Sequence, residues 1–358
     1  MKRYELVLLP GDGIGPEIMK ANEIVLKKIS NLFGINISTK ECPFGGNAIE
    51  KHNKPLPYST LEECRNCDGI LLAAVGDYKF DSLPREIRPE SGLLKLRSEL
   101  DLFANIRPIK IRESLINSSP IKEEIIKDID LVVIRELTSG IYFGKPKGRI
   151  RTNEYIKAFN TMSYTDLEIE RITNIAIKIA NKRMNRICSV DKANVLDVSQ
   201  LWREKVTEIC EKKGNISLSH MYVDNASMQL IKDPKQFDVI LTGNLFGDIL
   251  SDEASILTGS IGMLPSASLG EKGPGLFEPV HGSAPDIAGS NKANPLAMIL
   301  STAMLFRDGL NEYEIAENIE KAVDSVLKSN YRTIDISEEN KKILGCIEMG
   351  EKVAKNLE

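Results

Sequence analysis

The sequence predicts an α/β fold built around a large, mostly parallel β-sheet. Short runs rich in valine, isoleucine and leucine alternate along the chain with longer segments of helical periodicity. Strands that alternate with helices are typical of parallel sheets, because each parallel connection needs a crossover that a helix supplies. Most of the apolar runs lack a polar residue at every second position, which predicts strands covered on both faces. The length of 358 residues favours about two domains.

Seven runs carry the strand pattern, and four longer segments carry apolar residues at helical spacing. The predicted strands are Tyr4–Leu9, Ile35–Lys40, Gly69–Val75, Leu131–Ile134, Arg186–Val190, Leu218–Val223 and Asp238–Thr242. The predicted helices are Pro16–Leu32, Thr165–Asn185, Leu201–Lys213 and Tyr313–Ser329. Glycine and proline cluster instead in residues 10–16 and 259–295. In parallel α/β sheets such loops usually carry the functional site.

Composition and charge exclude several classes of protein. The chain has 47 basic and 51 acidic residues, so its net charge of -4 gives no electrostatic case for binding nucleic acid or a membrane surface. No segment approaches the ~20 apolar residues of a membrane span, and the N-terminus lacks the pattern of a signal peptide. The one Cys-x-x-Cys pair, Cys64 and Cys67, has no second pair to complete a zinc site. We therefore expect a cytoplasmic protein with reduced cysteines.

A glycine-rich loop, Leu-Pro-Gly-Asp-Gly-Ile-Gly-Pro-Glu, runs from Leu9 to Glu17 directly after the first predicted strand. It superficially looks like the Gly-x-Gly-x-x-Gly fingerprint of dinucleotide-binding proteins. However, its three glycines do not have that spacing, and Pro16 stands at the first helical position. No clear acidic residue ends a second strand at the proper distance. The loop therefore argues against an ordinary Rossmann site.

A pair of aspartates indicates a divalent-cation site. Asp248 and Asp252 follow an apolar strand and a tight turn, and at four residues apart they share one face of a helix. Like charges at this spacing repel each other, and a bound divalent cation would remove that cost. Asp224, which follows another predicted strand, is a third candidate ligand. Three oxygen ligands suit Mg²⁺ or Mn²⁺ better than zinc, and the alternative is a solvated acidic face.

Three arginines indicate a small anionic substrate. Arg135 ends an apolar strand, where a charge needs a reason, and Arg107 follows an apolar stretch. Together with Arg97 they provide three guanidinium groups, each able to bind a carboxylate at two points. The alternative for each arginine alone is a structural salt bridge.

A lysine and a tyrosine complete a possible catalytic set. Lys192 lies just past a predicted strand and becomes a general base if burial or a metal lowers its pKa. Tyr142, in the segment Ser-Gly-Ile-Tyr-Phe-Gly, is a possible proton donor. The alternatives are a surface lysine and an aromatic core residue.

Several blocks in order resemble the β-decarboxylating dehydrogenases of the isocitrate/isopropylmalate dehydrogenase family. These blocks are Leu9–Glu17, Asp101–Pro108, Arg135–Gly144, Gly243–Asp252 and Phe277–Gly289. The resemblance runs from about residue 4 to about residue 300. It implies a two-domain fold of the isopropylmalate dehydrogenase type, with a large mixed, mostly parallel sheet that is not a Rossmann fold. Residues 1–102 and 259–358 would form the first domain, on the NAD-binding side. Residues 103–258 would form the second domain, on the side of dimerisation, metal and substrate.

The resemblance also implies a role for individual residues. Tyr142 and Lys192 would be catalytic, and Asp224, Asp248 and Asp252 would bind Mg²⁺ or Mn²⁺. The chain would form a homodimer in which Lys192 and Asp224 reach into the partner's site. Substrate contacts would come from Arg97, Arg107, Arg135, Asp224, Glu90, Leu93 and Leu94. Cofactor contacts would come from Ile14, Gly76, Asp77, Glu90, Glu278, His281, Gly282, Ser283, Ala284, Asp286, Ile287 and Asn294.

Two leucines favour 3-isopropylmalate as the substrate. Isocitrate dehydrogenases resemble this chain but place a hydroxyl and an amide here to bind a third carboxylate. This chain has Ser91, which leaves the hydroxyl position ambiguous, and where the amide would stand it has Leu93, followed by Leu94. Leucines would bury an isopropyl group and leave a carboxylate unpaired. The predicted reaction is oxidative decarboxylation to 4-methyl-2-oxopentanoate and CO₂, a step of leucine biosynthesis. Isocitrate, homoisocitrate and tartrate or D-malate-type dehydrogenases are the enzymatic alternatives.

An acidic residue favours NAD as the cofactor. Asp286 would accept hydrogen bonds from the ribose diol and repel a 2′-phosphate, and relatives that use NADP carry basic or aromatic residues there. Residues 76–80 and 332–339 depart from the usual sequence of the family, so the cofactor contacts of the first segment are open. A non-catalytic regulatory subunit is the alternative outside the enzymes. The presence of Tyr142, Lys192 and all three aspartates argues against that alternative.

Overall fold

Strands and helices alternate along residues 2–358, the part of the chain that the computed structural model describes. The strands are β1 (Arg3–Gly11), β2 (Asn36–Glu41), β3 (Gly69–Ala74), β4 (Ala104–Lys110), β5 (Asp130–Glu136), β6 (Gly148–Arg151), β7 (Ile156–Phe159), β8 (Arg186–Asp191), β9 (Ser217–Tyr222), β10 (Val239–Thr242), β11 (Pro265–Leu269), β12 (Leu276–Pro279), β13 (Tyr331–Arg332) and β14 (Lys342–Ile343). The α-helices are α1 (Gly15–Phe33), α2 (Gly46–His52), α3 (Tyr58–Arg65), α4 (Pro89–Glu99), α5 (Glu123–Ile126), α6 (Asp166–Ala180), α7 (Asp197–Lys213), α8 (Val223–Lys232), α9 (Asn244–Ser255), α10 (Leu296–Met304), α11 (Tyr313–Lys328) and α12 (Cys346–Lys355).

The seven predicted strands and the four predicted helices are all present, with shifted ends. The prediction of an α/β fold with a mixed, mostly parallel sheet is confirmed. Three strands of the large sheet were not predicted: β11, β12 and β4. In β4, Arg107 and Pro108 interrupt the apolar pattern. Its antiparallel partner β5 accommodates the proline, with Pro108 opposite Val132.

The described chain divides into two units. The first runs to Leu102 and includes Ile111–Glu123 and Ser255–Glu358, and the second comprises Phe103–Lys110 and Glu124–Ala254. The boundaries inferred from the sequence differ in that they assign 111–123 and 255–258 to the second domain. Side-chain bonds show why both segments lie with the first unit. Arg112 pairs with Asp324 of α11, and the hydroxyl of Ser119 donates to the carbonyl of Ile256.

The first unit contains five neighbouring strands in the order β2-β1-β3-β12-β11. The strands β2, β1, β3 and β12 run parallel, and β11 is antiparallel to β12. All six residues of β3 are buried, as expected of a central strand covered on both faces. One of the apolar clusters that cover it includes Leu9, Leu72 and Leu96.

The second unit contains five neighbouring strands in the order β4-β5-β10-β8-β9. All of them are parallel except β4, which is antiparallel to β5. An apolar cluster that includes Ile172 of α6 and Trp202 of α7 packs on this sheet beside Val239. Because the carboxyl ends of β5, β8, β9 and β10 meet at one edge, polar residues that follow these strands converge there.

No helix within residues 2–358 combines the length and the apolar character that crossing a membrane requires. The six cysteines are all free thiols. Burial raises the pKa of the Cys67 thiol to about 11, so Cys64 and Cys67 do not form a reactive pair.

A capping box at the start of α6 gives a test of this local structure. The Thr165 hydroxyl accepts from the backbone N–H of Glu168 at 3.3 Å, and the Glu168 carboxylate accepts from the N–H of Thr165 at 2.7 Å. We expect Thr165→Ala to lower the free energy of unfolding by about 1 kcal/mol, because one helix N–H loses its acceptor. Urea denaturation measures this, with Glu170→Ala on the same helix as the control. Equal effects of the two substitutions would contradict the assignment.

Candidate active site

Two aspartates of α9 lie against two arginines of the neighbouring strands. Asp248 and Asp252 are four residues apart on this helix, as the sequence predicts. Arg135 of β5 donates to Asp248, and Arg107 of β4 donates to Asp252 at 3.2 Å. A second guanidinium nitrogen of Arg107 lies 3.7 Å from Asp248. The structure therefore brings four of the predicted residues together as one ion-pair network.

Both arginines are almost completely buried, which requires them to be paired. Arg107 donates from Nε to Asn105 at 2.8 Å and from Nη1 to the hydroxyl of Ser251 at 2.6 Å. The side chains of Asp248 and Asp252 are more exposed to solvent than those of the two arginines. Burial raises the pKa of the Asp252 carboxyl and the neighbouring charge of Asp248 adds to the rise, whereas Arg107 opposes it. This is the like-charge cost expected of two carboxylates on one helix face.

A buried asparagine at the start of α9 holds the Arg135 side chain. The Asn244 side-chain oxygen accepts from Nε and Nη2 of Arg135 at 3.1 and 2.8 Å. Its amide nitrogen donates to the carbonyls of Leu137 and Ser139, each at 3.0 Å. Asn244 lies within the block Gly243–Asp252, and no role was predicted for it from the sequence. The only sequence signal was an asparagine at the start of a helix, which is ordinarily a cap.

Tyr142 joins the same network. Its hydroxyl donates to the second carboxylate oxygen of Asp248 at 2.8 Å, and its ring centroid lies 5.9 Å from the guanidinium carbon of Arg135. Burial, together with the hydrogen bond to Asp248, raises the pKa of Tyr142 to about 12. The phenol is therefore protonated at neutral pH and has a proton to donate.

Lys192 and Asp224 form a separate pair. Lys192 follows β8, and Asp224 stands in the first turn of α8 directly after β9, so the parallel pairing of these strands brings the two side chains together. The lysine nitrogen donates to the Asp224 carboxylate at 2.8 Å, and this hydrogen bond lowers the pKa of Asp224. Arg203 supports the pair from α7, because it donates to both oxygens of the adjacent Asp191 at 2.9 and 2.8 Å.

The three predicted metal ligands do not form one cluster in a single chain. Within residues 2–358, no three His, Cys, Asp or Glu side chains are grouped closely enough to hold one metal ion. Asp248 and Asp252 are grouped, whereas Asp224 is paired with Lys192. That Asp224 and Lys192 come from a second copy of the chain remains a prediction.

In the first unit, Arg97 is bound to another predicted site residue. Its Nη2 donates to the Glu278 carboxylate at 2.7 Å, and both side chains are nearly buried. Arg97 Nε is also buried but has no hydrogen-bond acceptor in the described part of the chain. An orphan buried donor costs about 1–3 kcal/mol, so an acceptor supplied by a ligand would stabilise this site.

Gly76 lies close to other predicted cofactor-binding residues of the first unit. The Ser283 hydroxyl donates to the Gly76 carbonyl at 2.5 Å, and the Ile14 N–H donates to the Ser283 carbonyl at 2.8 Å. The φ of 109° at Gly76 favours glycine, and a Cβ atom there would lie 2.9 Å from the Glu90 carboxylate, which would have to move. Asp77 is engaged locally, because its carboxylate accepts from the N–H of Lys79 at 3.0 Å.

The remaining predicted cofactor residues lie between His281 and Asn294. Gly282, Ala284, Asp286 and Ile287 form the turn that follows His281, and Asp286 is exposed. The Nε2 atom of His281 is buried without a partner among the described residues, and burial lowers the pKa of this imidazole.

Asn294 is buried, and its side chain is already engaged. Its amide nitrogen donates to Asp335 at 3.0 Å, and its oxygen accepts from the N–H of Leu296 at 2.9 Å. A ligand at this position would therefore contact the backbone of Asn294 more readily than its amide.

Comparison with known sequences gives full-length matches. A family model described as isocitrate/isopropylmalate dehydrogenase matches residues 5–353. A protein of Prochlorococcus marinus subsp. pastoris named 3-isopropylmalate dehydrogenase is 62% identical, and the match covers 100% of both chains. A protein of the same name from Synechococcus sp. is 59% identical, also over 100% of both chains.

Comparison with solved structures gives full-length matches as well. The isocitrate dehydrogenase of Methylococcus capsulatus is 33% identical and superposes with a TM-score of 0.88, over 99% of each chain. A β-decarboxylating dehydrogenase of Thermococcus kodakarensis, in its apo form, is 31% identical with a TM-score of 0.78, over 99% of this chain and 96% of that one.

The four hydrogen bonds of Asn244 provide a test of the Arg135 environment. We expect Asn244→Ala to lower the free energy of unfolding by about 2–4 kcal/mol, because it leaves buried donors and acceptors unsatisfied. Chemical denaturation measures this. The control is Asn215→Ala, which removes one exposed hydrogen bond to Asn181 and should cost less than about 0.5 kcal/mol. A cost at position 244 no larger than the control's would show that this network does not hold Arg135.

Proposed function

The chain belongs to the isocitrate/isopropylmalate dehydrogenase family, and from this premise we propose that it oxidises and decarboxylates 3-isopropylmalate. The reaction uses NAD, releases 4-methyl-2-oxopentanoate and CO₂, and serves leucine biosynthesis. The observation that carries the proposal is the convergence of Arg107, Arg135, Tyr142, Asp248 and Asp252. A cluster of cationic, acidic and phenolic groups suits a substrate with two carboxylates and an exchangeable proton.

The environment of the α4 helix supports a substrate with an alkyl group. The Ser91 hydroxyl lies 2.9 and 2.7 Å from the backbone carbonyls of Glu86 and Arg88, so its single proton is already engaged and not free for a third carboxylate. Leu93 packs partly against an apolar cluster of the first unit, and Leu94 is half-buried. Leucine side chains favour an isopropyl group by about 0.8 kcal/mol for each buried methylene-sized group, whereas they leave a carboxylate desolvated and unpaired.

The acidic residues fit a hard divalent cation. Asp248 and Asp252 offer only carboxylate oxygens from one helix face, which suits Mg²⁺ or Mn²⁺. The negative charge of Asp248 also raises the pKa of Asp252, and a bound cation would relieve this repulsion. When bound there, such a cation polarises the substrate's hydroxyl group and neighbouring carboxylate. Asp224 of the partner subunit would be the third ligand.

The chain's own residues bind the substrate and move its protons. Arg97, Arg107 and Arg135 would bind the two carboxylates, and binding would replace part of their present pairing with Glu278, Asp248 and Asp252. In its neutral form, Lys192 would accept the proton of the substrate hydroxyl. Tyr142, whose phenol is protonated at neutral pH, would donate a proton to the carbon that loses CO₂. NAD supplies the hydride acceptor.

The cofactor preference for NAD is proposed from the turn after His281. Asp286 is an exposed carboxylate in this turn, and it would bind a ribose diol and repel a 2′-phosphate. A cytoplasmic location is proposed as well, since six free thiols suit a reducing compartment.

The homodimer is proposed from incomplete sites and exposed apolar residues. Lys192 and Asp224 pair with each other in one chain, so a second copy is needed to bring such a pair to Asp248 and Asp252. The β6–β7 hairpin is a two-stranded sheet of its own, and its Ile150, Tyr155 and Ile156 are each at least half exposed. An isolated hairpin with exposed apolar residues gains stability by packing against a partner.

Formation of NADH tests the proposed reaction. We expect turnover of 3-isopropylmalate with NAD and Mg²⁺ or Mn²⁺, loss of turnover when a chelator removes the cation, and much slower reaction with isocitrate or D-malate. Leu94→Asn should lower kcat/KM for 3-isopropylmalate by about tenfold, since the isopropyl group then meets a polar side chain. Leu32→Asn, which changes an exposed leucine of α1, is the matched control. Faster turnover of isocitrate would favour the isocitrate dehydrogenase assignment instead.

Hybrid dimers test the exchange of residues between subunits. Lys192→Met and Asp248→Asn should each be inactive, and mixing them should restore about a quarter of wild-type activity. The reason is that half of the dimers are hybrids, and each hybrid has one site with neither substitution. Mixing Tyr142→Phe with Asp248→Asn is the control, because both changes lie in the same cluster of one chain and no intact site forms. Activity that stays absent in the first mixture, despite exchange of subunits, would show that each chain forms its own site.

A further inference from the structure

The glycine-rich loop after β1 has no catalytic part in the proposed function. We propose that its two acids are positioning residues for the cofactor: Asp12 fixes residues 76–77, and Glu17 fixes residues 291–294. The inference rests on the proposed function, because that function assigns cofactor contacts to these two segments. It concerns residues that do not touch the cofactor themselves.

Asp12 is buried and holds three backbone N–H groups from two segments. Its carboxylate accepts from the N–H groups of Gly46 and Gly76, each at 2.9 Å, and from that of Asn47 at 3.0 Å. Only 7% of Asp12 is exposed, and it forms no ion pair in the described part of the chain. The first two N–H groups of α2 are otherwise orphan donors at the positive end of the helix dipole. An acceptor-only carboxylate satisfies them and fixes Gly76 at the same time.

Glu17 performs the corresponding task for the second segment. Its two oxygens accept from the N–H groups of Asn291 and Ala293, at 3.2 and 3.3 Å. Asn291 has a φ of 57°, a left-handed conformation that turns the chain just before Asn294. Because Asn294 is anchored through its side chain, Glu17 completes the fixation of the backbone on the N-terminal side of this residue.

Two glycines of the loop explain how Asp12 comes into reach of residue 76. A Cβ atom on Gly11 would collide with the Ala74 carbonyl, and one on Gly13 would collide with the Ser283 carbonyl. The loop can therefore lie directly on the end of β3 and on Ser283 only with glycine at these positions.

Binding of a cofactor fragment separates the two positioning roles. ADP contains the adenosine half of NAD and lacks the nicotinamide. We expect Glu17→Gln to weaken ADP binding in calorimetry about tenfold, because a glutamine amide offers one acceptor and a donor that opposes an N–H. Asp12→Asn should leave ADP affinity within about twofold and raise the KM for NAD about tenfold. Neither substitution should raise the KM for 3-isopropylmalate at saturating NAD.

A matched substitution on α1 serves as the control. Glu23→Gln removes the same charge from an exposed position of α1 and should change none of these constants. If Glu17→Gln lowers stability and kcat and raises both KM values together, the role of Glu17 is merely structural. Unchanged ADP affinity in a folded Glu17→Gln variant would also overturn the inference. If Asp12→Asn does not fold, Ser283→Ala removes the other bond to Gly76 and should raise the KM for NAD more than the Kd for ADP. Wild-type protein that binds neither NAD nor ADP would instead contradict the proposed function.

Discussion

The pairing of buried arginines with the acids of α9 is the constraint on which the second unit's site depends. Arg107 and Arg135 are almost fully buried, and an unpaired charge at such a position costs several kcal/mol. Asp248 and Asp252 supply the opposite charge, while Asn244 and Ser251 supply neutral partners for the remaining donors. The guanidinium groups are therefore oriented before a ligand arrives. An incoming carboxylate can exchange with an internal one at little net cost, because charge is replaced by charge.

Strand order decides which side chains take part in this pairing. The antiparallel β4 places Asn105 opposite Arg135, so Arg107 reaches the same edge from a strand that runs the other way. The parallel strands β8 and β9 end side by side and carry Lys192 and Asp224 out of the sheet together. Arg203 then binds both oxygens of Asp191 and stacks its guanidinium 4.9 Å from the Tyr222 ring, which ties the ends of these two strands to α7. Side chains far apart in sequence thus meet through backbone pairing.

The sequence predicted the elements better than the contacts, for a physical reason. Apolar runs such as β3 are visible because burial on both faces restricts every position, whereas β4 is hidden because Arg107 and Pro108 break its apolar pattern. The cluster on α9 was predicted from the four-residue spacing, since that spacing alone puts both acids on one face. The pairing of Arg97 with Glu278 spans 181 positions and leaves no local pattern. The roles of Asn244 and Asp12 were missed for the same reason, because their partners are groups contributed by distant segments.

The acids in the first unit's loop differ from those of the ion-pair cluster in the kind of partner that they bind. Asp12 and Glu17 are carboxylates whose partners are backbone N–H groups, so their effect depends on the number of acceptor lone pairs and not on an opposite charge. Backbone donors are present whatever the side chains of the segments they belong to, so these bonds do not depend on the side chains of the residues that are held. The acids themselves have no such freedom, because an amide of the same shape brings a donor against a donor. The position of the two segments is therefore set by the side chains of Asp12 and Glu17 and by backbone donors, whatever side chains the segments themselves carry.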